Sequence, residues 1–172
     1  MSYRPWELSV RKIISRFINR IPRKTPDYFL LEYYSTYTDI EKRLLQKELI
    51  TLTPDKIVAE YISKNLRPGV NEEKAQTSRK EEYSLKPEDF RSYYSFLRKY
   101  RFDLIREPYI HNSYDSLTQE WNSAILIKYG CNKEEGNYQT LEARNSMDLG
   151  IEGKDRQRFE IFVHRLRKLV SR

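Results

Sequence analysis

Residues 25–49, TPDYFLLEYYSTYTDIEKRLLQKEL, decide how the chain is read. Thr25 offers a hydroxyl N-cap, Pro26 fits a first helical position, and Asp27 stands where the positive end of a helix favours an acid. Phe29, Tyr33 and Tyr37 then recur every fourth residue, which draws a stripe along one helical face. Thr38-x-x-Glu41 has the form of a capping box that restarts a helix through Ile40, Leu44, Leu45 and Leu49. Thr53-Pro54-Asp55 repeats the start signal before Ile57, Val58, Tyr61 and Ile62, and Arg67-Pro68-Gly69 closes that segment.

The same reading extends outward on both sides. Toward the N-terminus, Trp6, Val10, Ile13, Ile14, Phe17 and Ile21 share one helical face, and Ile21-Pro22 ends it because the residue before proline is pushed out of the α region. Toward the C-terminus, residues 70–86 are charged and nearly free of apolar side chains, which predicts an exposed linker or long loop. Pro87 then opens a helix to about Glu107, with Phe90, Tyr93, Tyr94, Leu97, Tyr100, Leu104 and Ile105 as its core face. Ser116-x-x-Gln119 caps a helix over Leu117, Trp121, Ala124 and Ile125, with a short buried strand over Ala124–Tyr129 as the alternative for its second half. The last helix spans about 154–171, with Phe159, Phe162, Val163, Leu166, Leu169 and Val170 on its apolar face.

These signals predict an all-α protein of five to seven helices with at most a minor β hairpin. They divide it into an N-terminal helical half, 1–69, the charged segment 70–86, and a C-terminal helical half, 87–172, the two halves packing as one unit. Composition points the same way. Only five of the 172 residues are glycine, few for a fold rich in strands and turns or for a phosphate-cradling loop. Mean hydropathy is −0.83, so much of the surface is solvated. A single cysteine, Cys131, excludes an intrachain disulfide and suits a reducing compartment. No apolar run approaches a membrane span, so the expected setting is intracellular and soluble, in cytoplasm or nucleus, with the mitochondrial matrix admitted by the basic amphipathic N-terminus.

Charge narrows the partner class. The formal net charge is +7, and residues 1–24 hold seven basic residues against one acidic. Residues 154–172 hold seven against two, while the body between is mildly acidic. Two basic ends on an acidic body point to a polyanion or to an acidic protein surface.

Catalytic patterns are sparse. The two histidines, His111 and His164, stand far apart, and Cys131 has no base near it in sequence. Pro54-Asp55 followed by Glu72-Glu73-Lys74 fits a loose metal-nuclease pattern, but it requires neighbouring strands that this reading does not provide. A helix-turn-helix drawn over 39–66 offers Lys56 and Lys64 against Asp55 and Glu60, without a basic surface for phosphates. On the 87–107 helix, Arg91, Arg98 and Arg106 surround Phe102, which either stacks a nucleobase or docks into a neighbouring helix. Arg101 falls inside the apolar face, where it pairs with a buried carboxylate or meets a partner.

The expected function is a non-catalytic basic subunit contacting nucleic acid, RNA or DNA, within a larger assembly alongside other protein subunits. The alternative is an adaptor whose basic helices engage an acidic protein. No cofactor, metal or membrane contact is implied. The candidate contact residues are Lys12, Arg16 and Arg20 on the first helix, Arg91, Arg98, Phe102 and Arg106 on the middle one, and Lys154, Arg158, Arg165, Lys168 and Arg172 on the last, the two terminal flanks merging into one basic surface.

Overall fold

The computed structural model describes residues 21–65, 75–105, 109–110, 119–130, 138–146, 149–150 and 153–171. It is built on a six-stranded antiparallel sheet, so the all-α expectation is overturned. The strands are β1 Tyr28–Asp39, β2 Leu44–Leu52, β3 Lys56–Asn65, β4 Gln76–Ser84, β6 Gln119–Gly130 and β7 Tyr138–Ser146, in the spatial order β4-β3-β2-β1-β6-β7. A separate two-residue pairing joins β5 Tyr109–Ile110 to β8 Leu149–Gly150. Two helices are described, α1 Pro87–Lys99 and α2 Gly153–Val170, with a 3-10 turn at Phe102–Leu104. The region drawn as a helix-turn-helix is therefore the β2–β3 hairpin.

Two turns that need no glycine make this meander possible. Between β1 and β2, Asp39 Oδ1 accepts the Lys42 backbone N–H at 2.9 Å, and Arg43 takes a left-handed φ of 52°. Between β2 and β3, the Thr53 N–H donates to the Lys56 carbonyl at 2.9 Å, and the Thr53 hydroxyl donates to Asp55 Oδ1 at 2.7 Å. A hydroxyl, a proline and an acid in succession serve a β-turn as well as a helix start. The segment expected as a linker contains β4, whose register with β3 runs from Lys56↔Ser84 to Lys64↔Gln76. It is an edge strand, and its exposed, charged side chains guard that edge against further pairing.

One face of the sheet carries both helices. Phe29 of β1 meets Phe90 and Tyr94 of α1 edge-on, at 5.3 and 5.5 Å between ring centroids. α2 packs on α1 and on β3, with Phe162 edge-on to Phe96 at 5.6 Å and to Phe102 at 5.1 Å. The helical expectation for α2 survives with its core face, Phe159, Phe162, Val163, Leu166, Leu169 and Val170, all buried. α1, by contrast, ends at Lys99 rather than near Glu107: Phe90, Tyr93, Tyr94 and Leu97 are buried as expected, but Tyr100 is exposed and Leu104 and Ile105 lie beyond the helix. Beneath them the sheet supplies Leu31, Ile50, Leu52, Ile57, Ile125 and Ile127, all fully buried. Among the described residues, no helix is long and apolar enough to cross a membrane.

Candidate functional site

The sequence reading grouped twelve candidate residues, and the structure separates them. Lys12, Arg16, Arg20, Arg106 and Arg172 lie outside the described residues, as do Glu72, Glu73 and Lys74 of the nuclease pattern. Asp55 of that pattern is the exposed turn residue held by Thr53. Phe102 is not a stacking plate: it is 2% exposed and packed against Phe162. Arg101 pairs through both its Nε and Nη2 with Asp103, at 3.1 and 2.8 Å, and the Asp103 side chain is 4% exposed. That hydrogen bond raises the Arg101 pKa further and fixes its charge.

The remaining basic residues frame α1 from two sides. On α2, Lys154, Arg158, Arg165 and Lys168 fall along one stripe, since they are spaced by whole helical turns. Arg158 is tied to Asp155 at 2.7 Å. Arg165 crosses to α1, its guanidinium 5.4 Å from the centre of the Phe96 ring and Nη2 3.5 Å from Ser92 Oγ. Arg165 and Lys168 line a cleft of about 260 Å³ between the helices together with Asp89, Ser92, Tyr93 and Leu169.

Arg98 and Arg91 occupy the opposite flank of α1. Arg91 donates to the Pro87 carbonyl at 3.2 Å and lies 3.9 Å from Glu88. Arg98 Nη1 donates to the Arg23 carbonyl at 3.0 Å, while the Tyr94 hydroxyl donates to the Pro22 and Lys24 carbonyls at 3.0 and 3.3 Å. Burial on the way to those carbonyls pushes the Tyr94 phenol up to about 12. The 21–24 segment is thus pinned to α1, and Arg23, Arg98 and Arg101 converge with Ile21 and Asp103 on a notch of about 160 Å³. No periodicity within one helix reveals this notch, because Arg23 comes from a segment far from Arg98 and Arg101 at the end of α1.

A further concavity lies away from every candidate residue. On the helix-bearing face, the row of Ile125, Tyr33, Ile50 and Ala59 is apolar up to Glu81 on β4. The next row reads Ser35, Glu48, Tyr61 and Arg79, and the one beyond it Tyr37, Gln46, Ser63 and Thr77. These two rows floor a cleft of about 540 Å³ past the C-terminal end of α2. Arg167 of α2 closes its inner wall. Its Nε donates to both oxygens of Glu48 at 3.0 and 3.1 Å, and its Nη2 binds Glu48 and, at 3.2 Å, the Tyr33 hydroxyl. The Glu48 hydrogen bond raises the Arg167 pKa, and burial raises that of Tyr33. Arg79 pairs with Glu81 in its own strand. A two-residue alternation from Tyr33 through Ser35 to Tyr37 was the sequence signal for this floor.

Comparison of the chain with protein-family models, with curated proteins and with solved structures finds no match.

Proposed function

We propose that this chain is a non-catalytic binding protein that contacts nucleic acid through the basic surface around α1. The observation that carries the reading is the side-by-side packing of the helices, which sets the Arg165–Lys168 cleft on one flank of α1 and the Arg23–Arg98–Arg101 notch on the other. Of the six basic residues on α2, Arg165 and Lys168 line the cleft, and Lys99 at the end of α1 adds an exposed charge between the two flanks. Phosphates spaced along a strand are met by cations on separate elements, and arginines whose side chains are already held lose little freedom on binding. Aromatic stacking by Phe102 has no part in it, so the expected recognition is of backbone charge rather than of base sequence.

One feature favours a protein partner instead. Ile161 stands 43% exposed on α2, one turn from Arg165 and two from Lys168, and an apolar centre ringed by cations suits an acidic protein groove.

Fluorescence titration of mixed-sequence single-stranded and duplex oligonucleotides at several salt concentrations separates the two readings. Nucleic-acid binding gives a steep fall of log K with log salt, and the Lys99→Glu, Arg165→Glu, Lys168→Glu variant reduces that slope by about one for each phosphate it no longer neutralises. All three side chains are exposed, so the variant keeps its fold. Unchanged oligonucleotide affinity in the folded variant assigns the surface to a protein partner.

A further inference from the structure

We infer that the cleft beyond α2 is a binding site for a short, uncharged saccharide. The change of character on this face is abrupt. Apolar Ile50 and Ala59 give way, two residues further along their strands, to carboxylate and phenol groups and then to amide and hydroxyl groups. A sheet end merely left to solvent would be expected to collect lysine and glutamate; the opposite face carries Lys47, Glu60, Lys64 and Lys80 beside these rows, interspersed with Thr36, Ile62, Ser78 and Gln76. On the cleft side the two rows hold no lysine, and they hold two tyrosines.

Lys47 also lines the cleft, but strand alternation sends its side chain to the other face, and the charged side chains on the cleft face are already paired within the protein. Glu48 is held by Arg167, and Arg79 is paired with Glu81. An ionic ligand would have to displace one of these pairs, whereas a neutral one leaves both in place. What remains for a ligand is Gln46, with two donors and an acceptor, and the hydroxyls of Ser63, Thr77 and Tyr61. The Thr77 hydroxyl makes only a long approach, 3.5 Å, to the Ser63 carbonyl. Tyrosine faces cover the C–H side of a sugar ring while amides and hydroxyls take its edge, and that combination of flat apolar area with polar groups is what this floor provides. Tyr37 and Tyr61 stand two strands apart, roughly 10 Å at the usual inter-strand spacing, so the floor spans more than one ring. The ligand class is therefore a neutral di- or trisaccharide. The site is independent of the basic surface around α1, since it shares none of the residues that line that surface's two clefts.

The test is calorimetric and NMR titration of the full chain with maltotriose and cellotriose, against trigalacturonic acid and inorganic phosphate as anionic probes. At least one neutral trisaccharide should bind at about millimolar concentration or below. The Gln46→Ala, Thr77→Ala double variant should weaken that binding by about tenfold, the worth of one or two hydrogen bonds. Both residues are exposed, and an unchanged unfolding midpoint shows that the variant is folded. Tyr61→Ala should weaken it as well. The inference is overturned if neither neutral sugar binds, if the folded double variant binds as well as the parent, or if an anionic probe binds more tightly than both sugars.

Discussion

Phe102 carries its ring into the angle between α1 and α2, where it meets Phe162 edge-on at 5.1 Å. A ring among arginines in sequence reads as a stacking plate, but the backbone turns immediately before it. Arg101 adopts a left-handed φ of 57°, and the 3-10 turn at Phe102–Leu104 swings Phe102 inward while Arg101 stays at the surface on Asp103. Helical periodicity extended past Lys99 therefore assigned residues 101–105 to faces that do not exist. Arg101 is nevertheless matched to a buried carboxylate, one of the two roles open to it from its place in the apolar pattern. Truncating Phe102 to alanine leaves a void under both helices and should cost about 3–5 kcal/mol of stability in urea unfolding. A loss below about 1 kcal/mol would be a surface-residue effect and would contradict the packing.

At the scale of elements, the two helices were legible and the strands, apart from the Ala124–Tyr129 run of β6, were not, and the reason lies in a spacing of four. Phe29, Tyr33 and Tyr37 are four apart, which is close to one helical turn and is also two full strand repeats. Leu31 breaks the tie: in a strand it joins Phe29 and Tyr33 on one face, as observed, whereas a helix would turn it away. α2 has no such ambiguity, because Phe162–Val163 and Leu169–Val170 are adjacent buried pairs, and adjacent residues share a face only in a helix. The turns misled for a different reason. Thr38-x-x-Glu41 resembles a capping box, yet Asp39 does the capping, by closing the β1–β2 turn. Asp39 is 2% exposed and accepts from the Lys42 backbone N–H, from Lys42 Nζ at 3.1 Å and from the Tyr37 hydroxyl at 3.3 Å. The backbone bond is the largest cause holding its carboxyl below the usual range. A depressed folded-state pKa stabilises the hairpin above the unfolded value, near about 3.9, and that contribution is lost as pH falls through the folded value. Urea unfolding of the parent and Asp39→Asn should differ by a constant amount above about pH 5, and the gap should close on further acidification. A gap that stays constant down to the acid transition would show that the charge of Asp39 does not hold the turn.

For the whole molecule, sheet order sets where the fold is firm. β1 is paired on both sides over nearly its full length, with β2 on one and β6 on the other, and it carries the phenylalanine on which α1 rests. β4 is paired only to β3, its side chains are almost all exposed, and no helix is among its principal neighbours. The β1–β6 pairing joins residues about ninety apart in sequence, a separation that no local pattern discloses, so the candidate site between α1 and residues 21–24 was equally hidden: it exists only once β1 has been carried beneath α1. The meander β1–β4 can assemble from short hairpins, whereas closing β6 onto β1 must bear a long loop-closure cost before its pairing forms. Amide hydrogen exchange followed by mass spectrometry should therefore give the slowest exchange in β1 and the centre of β6, intermediate protection in β2 and β3, and the fastest strand exchange in β4, whose amides open without disturbing the helix-covered core. If peptides from β4 exchange as slowly as those from β1, the sheet is not ended at β4 in solution and another strand lies along that edge.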